Sequence, residues 1–131
     1  MPTTSVRVDV SPGELVDKIT ILEIKLQRMT DGPARDNVRH EYEVLEAARR
    51  DALAASGALD ELMAALKSVN ERLWAIEDDI RDCERAKDFG PKFVELARAV
   101  YFTNDKRAGL KREINVLLGS SLIEEKSYAK Y

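Results

Sequence analysis

Leu59, Leu62, Leu66, Val69, Leu73, Ile76, Ile80 and Cys83 recur in alternating steps of three and four without a miss. On a helix with 3.6 residues per turn these positions form one continuous stripe. A stripe of that length needs cover along its whole run, which another helix lying at a small crossing angle supplies. The pattern therefore points to a helical bundle. Composition agrees, because 34% of residues are charged and only 6% aromatic, a balance typical of bundles rather than of β-sandwiches. With 131 residues, a single domain spanning 1–131 can bury one shared core.

Three further helices are legible. Ser11-Pro12-Gly13-Glu14 is a helix start, with Ser11 as cap, Pro12 in the first turn and Glu14 where a capping box wants it. Leu15, Ile19, Leu22, Leu26 and Met29 follow with helical spacing, and Asp31-Gly32-Pro33 separates this helix from the next. The second helix has a weaker stripe of Val38, Tyr42, Leu45, Ala52 and Leu53, interrupted by Arg49, and Ser56-Gly57 turns the chain again. Pro91 opens the last helix and Gly119 closes it. Short loops predict antiparallel neighbours. Ahead of the bundle, Val6, Val8 and Val10 alternate with Arg7 and Asp9, which reads as one short β-strand in an N-terminal arm, residues 1–10. Such a strand needs a partner, either Ser121-Leu122-Ile123 of the C-terminal tail (residues 119–131) or a second copy of the chain.

The last helix breaks the pattern. Its inward stripe runs Phe93, Leu96, Ala97, Val100, then Asn104, Arg107 and Lys111, before Ile114 and Leu118 resume. Polar groups taken out of water cost several kcal/mol, roughly, unless they are paired. Three arrangements meet that cost. The helix can break near Asn104, with Thr103-Asn104-Asp105 capping a fifth helix whose polar face meets water. Arg107 can bridge to a carboxylate on a neighbouring helix. Or the stretch can line a pocket for an anion, with Arg107 and Lys111 as clamps. Folding the third and last helices as a hairpin about Asp88 places Arg107 beside Asn70, Phe102 near Trp74 and Arg98 near Asp78. In the pocket reading Asn104 and Asn70 orient the ligand, and Glu77 or Asp78 supplies an acid or base. Arg107 and Lys111 lie beyond reach of the acidic segment 77–84 in this register, which leaves both charges unexplained by the simplest pairing.

Other motifs carry less. Asp78-Asp79-Ile80-Arg81-Asp82 has the spacing used to hold magnesium on diphosphates, but no second acid-rich helix complements it. His40 is the only histidine, so a paired di-metal site is not expected, and His40 reads as a surface residue. Cys83 lies on the apolar stripe and reads as a small buried hydrophobe; a lone cysteine forms no internal disulfide. No cofactor or metal motif is present. A net charge of −3 argues against wholesale binding to nucleic acid or anionic lipid, and no run is apolar enough to span a membrane. MPTTSVRVDV lacks the features of a secretory leader, so a cytoplasmic location is expected. The tail ends in Tyr128 and Tyr131, aromatics suited to docking, and folding back over the polar stretch is one place they can go.

The stretches SPGELVDKITILEIKLQRM, LWAIEDDIRDCE, FVELARAVYFTNDKRAGLKREIN and EEKSY together resemble a family of small bacterial helical proteins of unknown function. The resemblance implies a bacterial, cytoplasmic, accessory protein associated with glycosyltransferase and surface-polysaccharide proteins, and it carries over no catalytic residue. At the level of fold alone the arrangement is similar to small all-helical chorismate mutases, which bind a dicarboxylate between helices through Arg, Lys and amide or acidic side chains, though their motif spacing is not matched.

The expected architecture is thus all-α: an antiparallel bundle of three long helices, a final helix that can break near Asn104, and an N-terminal strand. The leading functional expectation is a binding or assembly module, forming a homo-oligomer or engaging a partner protein. The competing expectation is a small enzyme or binder for an anionic metabolite.

Overall fold

A computed structural model describes residues 4–131. Four helices account for the bundle: α1 (Pro12–Arg28), α2 (Gly32–Ala52), α3 (Gly57–Arg85) and α4 (Pro91–Leu117). Their starts are chemically specified. Ser11, Asp31 and Ser56 each accept a backbone hydrogen bond from the third residue onward, at 3.2, 3.0 and 3.1 Å, satisfying donors that a helix start leaves orphaned. α4 begins without a side-chain cap, on Gly90 and Pro91. It ends as the glycine at 119 predicts: Gly119 has φ +66°, and Ser120 N–H returns to Asn115 O at 2.8 Å.

α3 and α4 form a hairpin, and α1 lies across both while also holding α2. α1 is the central element. Val16, Ile19, Leu22 and Ile24 are buried on it, and Val16 meets Leu59, Leu66 and Ile114 in the core cluster. The α3 stripe is covered as its spacing requires: Leu59, Leu66, Ile76 and Cys83 are buried and Leu62, Val69, Leu73 and Ile80 half-buried. Among the helices α2 touches α1 alone, and none of its residues is fully buried. Its weak stripe foretold this. Arg49, which interrupts that stripe, is held by a two-pronged bond to Glu46 one turn back, and His40 is exposed.

One open alternative is closed and one expectation fails. α4 runs unbroken through Asn104. Its polar residues find partners on α1, so nothing obliges the helix to turn outward. The N-terminal strand does not form among the described residues: 4–10 lie outside any helix or strand and are exposed, and positions 1–3 of the predicted arm lie outside the described residues. A strand exists only through a ladder partner, and the tail that could supply one runs along α4 instead. There Glu125 pairs with Arg112 at 2.9 Å, and Tyr131 stacks on Tyr101 and Phe102 at 5.2 and 4.7 Å between ring centroids.

Candidate functional site

The polar stretch of α4 is matched by a polar line on α1. Gly13, Asp17, Thr20 and Ile24 follow one another at spacings of four, three and four, so they share a face beside the apolar stripe. Asp17 is 1% exposed and is the hub. Arg107 grips its carboxylate with a two-pronged bond, Nε to Oδ1 at 2.9 Å and Nη2 to Oδ2. Asn70 donates from α3 to the same Oδ1 at 3.0 Å and to Thr20 Oγ1 at 2.9 Å. Thr20 in turn donates to the Asp17 carbonyl at 2.8 Å. Three helices thus meet on one buried carboxylate, which is tolerable in low dielectric only because its lone pairs are filled.

One turn further along, Lys111 Nζ bonds Glu14 at 2.7 Å and the tail's Glu124 at 3.1 Å. Ser11 forms its half of the capping box, while the Glu14 carboxylate goes to Lys111. Beyond it, Asn115 Oδ1 accepts from Gly13 N–H at 2.7 Å. Here the glycine is sterically required, since a Cβ at position 13 would stand 2.4 Å from the Lys111 carbonyl oxygen. α1 and α4 therefore approach backbone to backbone.

The hydrogen bond to Asp17 raises the Arg107 pKa further above its usual value against the opposing effect of burial. For Lys111 burial lowers the pKa, but hydrogen bonds to Glu14 and Glu124 outweigh it and leave it above the ordinary lysine value. Both side chains are firmly cationic at neutral pH.

Of the anticipated site residues, Asn70, Asn104 and Arg107 line one cleft and Asn104, Arg107 and Lys111 line another, and Arg107 lies beside Asn70, both bonding Asp17 Oδ1. The bridge from Arg107 to a neighbouring helix is the arrangement realised, with Asp17 the carboxylate. Glu77 and Asp78 border a cleft of about 470 Å³ that also takes in Trp74, Asn104 and Arg107; neither approaches the Asp17 cluster by hydrogen bond. The pairing of Arg98 with Asp78 is not present. The Arg98 guanidinium lies over the Phe102 ring, 5.8 Å from its centroid. The acidic segment is answered from its own helix, by Arg81 on Glu77 and Arg85 on Asp82. Among the described residues no group of three His, Cys, Asp or Glu side chains is placed to hold a metal ion.

Sequence reasoning placed Asn115 on the polar face of α4 but missed Glu14, Asp17, Thr20 and Glu124 as partners in the site. The available signal was the Gly13-Asp17-Thr20 line, a polar stripe at helical spacing that mirrors the one on α4. A second cleft, of about 280 Å³, lies between Glu14, Lys111 and the tail and shares Asn104 and Arg107 with the first. The stretches 11–29, 73–84, 93–115 and 124–128, on which the family resemblance rests, supply every residue lining these two clefts except Asn70.

Comparison with curated proteins and with solved structures finds no match. A family model does match, over residues 6–131, and its description is a family of unknown function, DUF6165. Extending over nearly the whole bundle, arm and tail, that match places the chain in the DUF6165 family.

Proposed function

We propose that this protein is a self-associating helical module whose N-terminal arm pairs with the arm of a second copy. One observation carries the reading. Val6, Val8 and Val10 are 83%, 70% and 48% exposed, and residues 4–10 take part in no backbone hydrogen bond with the described remainder of the chain. With the tail committed to α4, a second copy is the partner that remains for a strand.

The segment Val6-Arg7-Val8-Asp9-Val10 is complementary to itself. In an antiparallel pair centred on Val8, Val6 faces Val10 of the other copy and Arg7 faces its Asp9. Opposite-charge and β-branched cross-strand pairs each contribute about 0.2–1 kcal/mol, and two-fold symmetry makes every one of them count twice. Surface area agrees. The chain exposes 9236 Å², whereas a compact monomer of this mass exposes about 7,000 Å². The excess is larger than the roughly 800 Å² each partner buries in a standard interface. An accessory role in a bacterial cytoplasm, beside glycan-building proteins, belongs to the same proposal and rests on the family resemblance.

Sedimentation across the micromolar range tests it. A dimer is expected for the native chain. Arg7→Asp sets like charges opposite each other and should yield monomers with unchanged helical content. Adding Asp9→Arg to that variant restores complementarity and should restore the dimer. A native chain that stays monomeric throughout, or a double variant no better than the single one, overturns the proposal.

A further inference from the structure

We infer that the cleft at Asn104, Arg107 and Lys111 binds a small organic monocarboxylate, and that Glu124 of the tail occupies its anion position when the ligand is absent. The site is independent of arm pairing. Lys111 has three N–H donors. One is fixed on Glu14 in the first turn of α1; another is held by Glu124, whose side chain is 58% exposed on a segment without secondary structure. Glu124 is therefore the exchangeable partner and Glu14 the permanent one.

Donors remain unused around this point. Arg107 spends Nε and Nη2 on Asp17, which leaves Nη1 and the Asn104 amide without a hydrogen-bond partner among the described residues. No buried side-chain nitrogen or oxygen there lacks a partner, so these two groups face the open cleft. Asp17 locks the guanidinium in place, so presenting Nη1 to a ligand costs little further ordering.

Charge sets the ligand class. With Glu124 in place, Arg107, Lys111 and Lys126 are balanced by Asp17, Glu14 and Glu124 itself. Rotation of the Glu124 side chain alone, with Lys126 kept beside the cleft, leaves one positive charge, which suits one carboxylate and not a dianion. Asn104 and Arg107 also border the larger cleft, whose walls include Ile21, Ile24, Leu73 and Trp74. A ligand anchored at Lys111 would lay an apolar or aromatic body there. Glu77 and Asp78 at the far side of that cleft oppose a second carboxylate.

The tail acts as a tethered competitor at an effective concentration in the millimolar range, by order of magnitude. Apparent affinity falls by the fraction of molecules in which the position is free. Titrating 3-phenylpropionate into the full chain, followed by amide-resonance shifts and Trp fluorescence, tests this. Shifts are expected at the Asn104 amide and the Trp74 indole. Glu124→Gln should tighten binding about tenfold, a tail occupancy near nine-tenths, and Asn104→Ala should weaken it. Glu125→Gln, which removes a charge paired with Arg112 outside the cleft, should leave affinity unchanged.

The inference is overturned by no shifts in either native or Glu124→Gln protein, by equal affinity of those two, by a Glu125→Gln gain as large as that of Glu124→Gln, or by 3-phenylpropanol binding as well as the acid. Inorganic phosphate binding as tightly as 3-phenylpropionate would also defeat it, by showing a site for any anion.

Discussion

The seam between α1 and α4 and the C-terminal third of α3 are both rich in charge, yet they hold it in different ways. Along the seam, Asp17 meets Arg107 and Glu14 meets Lys111, partners about ninety residues apart in the chain. In α3, Glu77 meets Arg81 and Asp82 meets Arg85, partners a single turn apart. The Asp17 side chain is 1% exposed, whereas Asp82 is 61% exposed. Chemical type is the same in both places; burial differs. A buried carboxylate that loses its partner retains its desolvation cost, while an exposed one is rehydrated. The seam therefore specifies how three helices meet, and the α3 pairs decorate one helix that forms without them.

Breaking the seam at its hub should produce the largest effect. Asp17→Ala removes the shared acceptor of Arg107 and Asn70, and a loss of about 3 kcal/mol in unfolding free energy is expected in denaturant melts. Arg107→Ala combined with Asp17→Ala should cost clearly less than the two single losses added together, since the pair fails as a unit. Strict additivity would show that the two side chains do not communicate.

Next in size is Gly13→Ala. Its new methyl would collide with the Lys111 backbone, and overpacking of this kind costs about 1–3 kcal/mol. In an ordinary helix position the same change is favourable by about 1 kcal/mol, so the sign alone decides whether α1 and α4 are in backbone contact. The smallest effect belongs to α3, where Glu77→Gln and Asp82→Asn should each shift stability by less than about 0.5 kcal/mol. A loss there as large as that of Asp17→Ala would erase the distinction between the two regions.

The polar residues of α4 were legible because they interrupt a stripe. Asn104, Arg107 and Lys111 occupy positions where a bundle helix carries Leu or Ile, and that anomaly can be seen in one dimension. Asp17 was harder to see, because α1 already has a complete apolar stripe and a second inward line looks like a solvated face. Only a helix with neighbours on two sides buries both lines, and α1 has α2, α3 and α4 around it. The acidic segment misled in the opposite direction. Its charges invited partners across the hairpin, but i,i+3 and i,i+4 neighbours on the same helix were closer at hand.

By itself the sequence determined the four helices, their caps and turns, the Gly119 stop and the hairpin register of Asn70 with Arg107, because all of these follow from local spacing and backbone chemistry. The tertiary structure decided which carboxylates answer Arg107 and Lys111, that α4 stays whole, that the arm finds no strand partner among the described residues and that Glu124 lies on Lys111. Those outcomes depend on pairings between residues far apart in sequence, whose energies are set by burial, and burial exists only once the helices have packed.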